Sequence, residues 1–290
     1  MYQKSLFRGS LMSINKRSAV DKLISRFLSL WYNASEPVIL SILRLRMKGF
    51  YKKNYEPLIS VYTPTYNRGD ILIDRALKSV LSQTYKNFEY IIIGDHCTDN
   101  TAQLIQDVGD PRIIFYNIPK RGYRYPPTAE NHWLAGPVVA ANTALKMING
   151  SWIARIDDDD IWSDDHLEVL LKYAQAGDYE FVSSAYEAER DGVRYVVDVM
   201  DETPRIGGTQ TWLYRSYLKF MKYNIQCWRK EWNRVNDTDL QERIGKAGVK
   251  TGFLDKVTCY ILPRPGETEI GLKAYITNEK EKEVHYKFKD

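Results

Sequence analysis

From Pro57 onward the chain alternates short apolar runs with longer stretches of helical period, and this alternation constrains its fold more than any other feature. Residues 58–62 read as a buried strand, 71–83 as a helix and 88–93 as the next strand. A helix begins after Thr98, a plausible N-cap, and a strand at 113–116, a helix at 138–148 and a strand at 152–156 continue the series. Strands joined through helices form a mostly parallel sheet covered on both faces, whose ligands bind beyond the carboxyl ends of the strands. The fold class is therefore α/β. After Ser163, a second N-cap, the pattern predicts a helix to Ala176, strands at 181–188 and 194–199, and helices at 212–222 and 237–246, the latter stopped by Gly248. Short strands at 251–254 and 259–262 precede the breaker-rich Pro263-Arg264-Pro265-Gly266.

The first 56 residues differ in character. They hold 11 Lys/Arg against 3 Asp/Glu, a net of +8, while the remainder holds 30 against 34, a net of −4. Val20, Leu23, Ile24, Phe27, Leu28 and Trp31 share one helical face opposite Asp21, Lys22, Ser25, Arg26 and Ser29. A second helix is expected from Pro37, tolerated in a first turn, towards Gly49, with Arg44, Arg46, Lys48, Lys52 and Lys53 making a basic end. Two readings of this arm stay open: a membrane-surface anchor, or a helical hairpin packed on the main domain or on a second subunit. The expected division is an arm at 1–56, the α/β domain at 57–270 and a charged tail at 271–290. No apolar run is long enough to cross a bilayer, and the opening residues lack a signal-peptide layout. Three widely spaced cysteines, Cys97, Cys227 and Cys259, suggest neither a disulfide framework nor a zinc site. A reducing, cytoplasmic setting is expected, peripheral on the cytoplasmic membrane face if the arm binds lipid.

The candidate chemistry lies just after strands. Asp157-Asp158-Asp159-Asp160 follows the run Ser-Trp-Ile-Ala-Arg-Ile directly. Four adjacent carboxylates repel one another, and a strand end that holds them is normally offset by a cation. Hard oxygen ligands suit Mg²⁺ or Mn²⁺, with substrate phosphates completing the shell. Thr63-Pro64-Thr65-Tyr66-Asn67-Arg68 ends the first strand; its chemistry suits a nucleotide base against Tyr66 and a phosphate near Arg68, but taken alone it reads as a plain turn, because Pro, Asn and Gly after a strand are what a turn requires. The second strand ends in Gly94-Asp95-His96-Cys97-Thr98-Asp99, and the Asp95 carboxylate suits the imide N–H of uracil.

Taken in order, these segments resemble the inverting family-2 glycosyltransferases with the GT-A fold. Thr63 to Arg68 matches that family's T-x-x-x-N-R-like loop, and Gly94 to Asp99 is similar to its D-D-G-S-T-D, keeping the second acid and the Thr-Asp pair. Ala140-Ala141-Asn142 resembles its A-x-N helix, and residues 157–160 its D-x-D-D motif. Asn236-Asp237-Thr238-Asp239-Leu240 is similar to its E-D-x-D-L stretch, with Asn for Glu. The resemblance covers about residues 57–262. It implies that Thr63, Pro64, Tyr66, Arg68, Asp95, Asn142, Asp157 and Asp158 bind the nucleotide-sugar, with Asp95 reading the base. It further implies that Asp157 and Asp159 hold Mn²⁺ or Mg²⁺, and that Asp237 is the base, with Asp239 in reserve. A helix N-terminus stabilises an acid without any catalytic duty, so Asp237 also reads as a cap. The activity implied is inverting transfer from a uridine-type donor to a hydroxyl of a glycan or lipid-linked acceptor, in polysaccharide biosynthesis.

The segment 120–133, with Arg121, Tyr123, Arg124, Tyr125, His132 and Trp133, is too polar and Pro-rich for regular structure and reads as a loop over the site. Trp212, Trp228 and Trp232, with His132 and Trp133, are candidates for the acceptor side. The four histidines form no metal spacing. Two other classes remain: a sugar-nucleotide nucleotidyltransferase, which needs a Gly-rich phosphate loop that residues 63–70 do not resemble, and a non-catalytic, membrane-associated carbohydrate binder, which needs neither the acid run nor Asp237.

Overall fold

The computed structural model describes residues 17–52, 56–197, 204–229, 235–271 and 274. It is an α/β molecule of the GT-A type, built on one nine-stranded sheet. The strands are β1 (Ile59–Thr65), β2 (Phe88–Gly94), β3 (Ile113–Asn117), β4 (Trp152–Arg155), β5 (Asp160–Trp162), β6 (Phe181–Arg190), β7 (Val193–Val197), β8 (Leu213–Arg215) and β9 (Thr251–Ile261). Their order is β3-β2-β1-β4-β8-β6-β9-β5, with β7 beside β6. The first half, β3-β2-β1-β4, is parallel throughout; in the second half only β6 and β9 are parallel. The chain crosses over at β1, between β2 and β4, which is where an open α/β sheet leaves a crevice.

The period of two along the central strands explains the two-sided core. Tyr62, Ile91, Ile93 and Ile153 face one apolar layer, while Val61, Tyr90, Ile92, Trp152 and Ala154 face the other. Helices cover both layers. They are α1 (Ala19–Arg46), α2 (residues 69–81, with a π turn at Ile73–Leu77), α3 (Thr101–Val108), α4 (Ala129–Ala135), α5 (Val138–Met147), α6 (His166–Ala176) and α7 (Asn236–Ala247). Gly69 starts α2 against α3; a β-carbon there would lie 2.9 Å from the Thr101 Cα. Gly248 ends α7 at φ 75°, the left-handed stop read from the sequence.

Several expected elements differ. The two arm helices are one 28-residue helix, α1, with Pro37 inside it. It is started by a capping box in which Ser18 and Asp21 exchange hydrogen bonds. The expected helix at 212–222 is instead strand β8 followed by a 3₁₀ turn, because Leu213–Arg215 pair with β4 and close its second edge. The two short strands at 251–254 and 259–262 are one bulged strand, β9, and the acid run itself enters a strand, β5. Residues 129–135 of the expected loop form α4, capped by Thr128, whose side chain accepts from the Asn131 amide. The α3 helix starts at Thr101, with Asp99 Oδ1 accepting from the Thr101 amide, so Asp99 and not Thr98 serves its first turn. Residues 198–199 of an expected strand, Trp232 and most of the expected 271–290 tail lie outside the described residues.

Candidate active site

The register of the parallel strands gathers the three sequence motifs. Thr65 at the end of β1 lies opposite Gly94 of β2, and Tyr62 lies opposite Arg155 of β4, so residues 66–68, 95–99 and 157–160 emerge at one sheet edge. Side chains then tie them together. Arg68 Nη1 donates to Asp158 Oδ1 at 2.9 Å and stands 3.5 Å from Asp159 Oδ2, and Thr65 Oγ1 donates to Asp158 Oδ2 at 2.8 Å. Thr63 and Pro64 are buried within the sheet, and the Thr63 hydroxyl bonds to the Tyr90 hydroxyl and the Ile156 carbonyl. They sit within the sheet beneath the site, with the Thr63 hydroxyl engaged by its neighbours.

The four acids meet four environments. Asp157 accepts from Arg155 Nε and Nη2 at 3.1 and 2.9 Å and keeps 37% of its side chain exposed. Asp158 is buried, and that burial pushes its carboxyl up against the pull of the Arg68 charge. Asp159 is 25% exposed, beside Arg68 and 4.0 Å from Arg264 Nε. Its backbone carbonyl accepts from Arg75, which also donates to the Leu262 and Pro263 carbonyls. Asp160 is buried in β5, and burial, reinforced by Asp159, Asp157 and Asp158, pushes its carboxyl well above the usual range. The partly exposed pair, Asp157 and Asp159, thus alternates with two buried carboxyls, Asp158 and Asp160, that burial pushes up.

At the end of β2, Asp95 is buried and accepts from three donors: Arg121 Nε at 3.1 Å, and Arg124 Nη1 and Nη2 at 2.7 and 2.6 Å. The Arg121 guanidinium also lies 3.9 Å from the centre of the Tyr66 ring. His96, at the position of the family's small glycine, holds φ 63°, a conformation that favours glycine. Asn117 fixes the loop beneath by exchanging hydrogen bonds with the Cys97 backbone at 2.8 Å each.

Asp237 stands in the first turn of α7. Its Oδ2 accepts from Thr209 Oγ1 at 2.7 Å, and its Oδ1 from the Thr238 amide at 2.7 Å. The turn Thr209–Thr211 reaches back to the acid run, since Gln210 accepts from Trp162 Nε1 at 2.7 Å. Asp239, by contrast, is fully buried beside Arg243, whose guanidinium also pairs with Glu36 of α1; the reserve base faces the packing of α7 on α1 instead of the cleft. Asn142 exchanges hydrogen bonds with the Tyr223 backbone at 2.9 and 3.0 Å, so its amide is used in anchoring α5. Trp212 is corrected as an acceptor contact: it is wholly buried against Phe181 and donates to the Gly207 carbonyl. His132 and Trp133 are half-buried on α4, with His132 Nδ1 2.9 Å from the Tyr125 hydroxyl. A cavity of about 370 Å³ lined by Phe50, Tyr51 and Trp152 lies at the other end of β4 and is not this site.

Thr65, Arg75, Arg155, Thr209 and Arg264 were not singled out from sequence. Thr65, Arg75, Thr209 and Arg264 meet partners far along the chain, so spacing carries no signal for them, while Arg155 pairs with Asp157 two positions on, at the start of the acid run. Among the described residues, no three His, Cys, Asp or Glu side chains group as a metal cluster.

The model of the glycosyl transferase family 2 matches residues 60–231. This chain belongs to that family. The family-2 match begins in β1 and takes in the loop after β2 and the acid run, and it ends before Asp237. Among relatives, the chain is 30% identical over 199 residues to the UDP-Glc:alpha-D-GlcNAc-diphosphoundecaprenol beta-1,3-glucosyltransferase WfaP of Escherichia coli, covering 69% of this chain and 66% of that one. It is 39% identical over 122 residues to the putative colanic acid biosynthesis glycosyl transferase WcaA of Escherichia coli (strain K12), covering 41% of this chain and 38% of that protein. The chain thus spans less than two thirds of the length of these relatives. In fold, it is similar to S. aureus TarS residues 1–349 in complex with UDP-GlcNAc, with TM-score 0.57, 18% identity and coverage of 72% of this chain and 60% of that chain. It is also similar to the mannosyltransferase PcManGT from Pyrobaculum calidifontis in complex with GDP-Man and Mn²⁺, with TM-score 0.53, 16% identity and coverage of 82% and 68%.

Proposed function

We propose that this glycosyltransferase is metal-dependent and inverting, and moves a sugar from a UDP-sugar to a hydroxyl of a glycan or lipid-linked acceptor. One observation carries the reading. The acid run stands at the carboxyl ends of β1, β2 and β4 beside Asp95, and Asp237 is held by Thr209, whose neighbour Gln210 accepts from Trp162 just beyond the run. Relatives whose names include UDP-Glc and an undecaprenol-linked acceptor support the donor and acceptor classes.

The residues fit a divalent cation of the Mg²⁺ or Mn²⁺ kind. Asp157 and Asp159 present partly exposed hard oxygens, and one or two carboxylates are what such an ion takes when phosphates supply much of its shell. That is consistent with the described residues offering no three-ligand cluster. When bound, the ion supplies charge to stabilise the departing nucleoside diphosphate. Arg68, already against Asp158, adds a cation at the same edge. A carboxylate has about four acceptor sites. Three of those on Asp95 are filled by Arg121 and Arg124, which leaves one for the imide N–H of uracil. Asp237 takes the proton of the attacking hydroxyl, and a single displacement inverts the anomeric carbon.

The test compares two variants by donor binding and by transfer. Asp159→Ala is expected to lose Mn²⁺-dependent UDP binding and turnover together. Asp237→Asn is expected to keep UDP binding while transfer falls about 10²–10⁴-fold. Full transfer by Asp237→Asn would remove the base assignment.

A further inference from the structure

We propose that α1 is an interfacial helix whose outward stripe beds into the headgroup region of an anionic lipid bilayer while its inward stripe stays docked on α7. Leu23, Phe27, Leu30, Trp31, Val38 and Leu45 recur at steps of three, four and seven residues, and all are 59–75% exposed. From Leu23 to Leu45 the stripe runs about 33 Å at 1.5 Å per residue, longer than the scattered apolar exposure of an ordinary surface. No helix among the described residues is long and apolar enough to cross a membrane, so this face lies along a surface.

The charges identify the occupant. Both acids of α1 point inward and are paired, Asp21 with Arg229 and Glu36 with Arg243. Arg26, Arg46 and Lys48 are exposed. The outer face is therefore apolar with cationic flanks and no exposed carboxylate, the complement of an anionic headgroup layer. A second copy fits poorly, because two such faces laid together, parallel or antiparallel, bring cations against cations with no acid between them. This inference does not rest on the proposed transfer reaction.

The experiment is co-sedimentation of the full chain with vesicles of phosphatidylglycerol in phosphatidylcholine, against vesicles of phosphatidylcholine alone. Anionic vesicles are expected to bind at least tenfold more strongly, with binding weakening as salt rises. Phe27→Glu with Trp31→Glu is expected to lower that binding at least tenfold. Arg26→Ala with Arg46→Ala is expected to lower it by roughly fivefold per charge. All these side chains are exposed, so an unchanged thermal midpoint confirms that each variant is folded. Equal binding by the wild type and the glutamate variant would overturn the proposal. So would a wild-type dimer, seen by sedimentation velocity, that the same glutamates dissociate without any vesicle binding.

Discussion

Thr65 gives its hydroxyl hydrogen to a buried carboxylate, Asp158, which also depends on Arg68 for charge. Thr65→Val keeps the shape and removes that donor. A loss of about 1–3 kcal/mol in urea unfolding is expected, together with weaker UDP binding as the charged form of Asp158 loses a donor and holds Arg68 less firmly. His166 makes a second residue-scale prediction. It is fully buried, stacked on Trp162 at 4.0 Å, and burial pushes its imidazole down to about 3. The unfolded chain takes up a proton near pH 6.5 that the folded chain refuses. The stability contribution is thus complete above 6.5 and is lost progressively as pH falls toward 3. By pH 5 the loss is on the order of 2 kcal/mol, and His166→Gln is expected to flatten the fall of the thermal midpoint between pH 7 and 5. At this scale the sequence announced residues that stand in runs, such as the four acids and the Thr63 to Arg68 loop. It was silent on Thr209 and Arg75, because nothing local to either one hints at the acid or the carbonyls it meets.

Elements were legible where period and burial agree. The strands and helices from β1 to β4 lie within a few residues of expectation, apart from α4, since their apolar positions serve the two core layers directly. They were misread where tertiary pairing decides. Residues 212–222 have helical spacing, yet Leu213–Arg215 complete the edge of β4. Pro37 reads as a helix start, yet α1 passes through it, because Glu36 and Leu40 on either side are buried, Glu36 on Arg243 and Leu40 in the core. An interior proline costs about 3 kcal/mol in the folded helix, while its stiffness in the unfolded chain returns up to about 1 kcal/mol. Pro37→Ala is therefore expected to stabilise the protein by about 2 kcal/mol in urea unfolding; destabilisation would mean that the proline fixes a bend that the docking of α1 needs.

The arm and the α/β domain, which the charge asymmetry divides at residue 57, are joined along the whole length of α1. Arg17 pairs with Glu130 of α4, Asp21 with Arg229, Glu36 with Arg243 of α7 and Arg44 with Glu180, while Leu40 enters the core wholly buried. The sequence could not show this, because the buried acid Glu36 and its partner are 207 positions apart. Deleting residues 1–56 exposes the cavity left by Leu40 and strips Arg243 of its main carboxylate. Together these cost at least about 5 kcal/mol, comparable to the net stability of a whole domain. The truncated chain is expected to lose its cooperative urea transition and to bind UDP with Mn²⁺ no better than unfolded protein. A truncated chain that unfolds at the wild-type midpoint would show that α1 is an appendage after all. Retention of the fold by the full chain when Arg243→Ala is made would point the same way, since that change leaves Glu36 and Asp239 buried without their shared cation and is expected to cost about 3–5 kcal/mol.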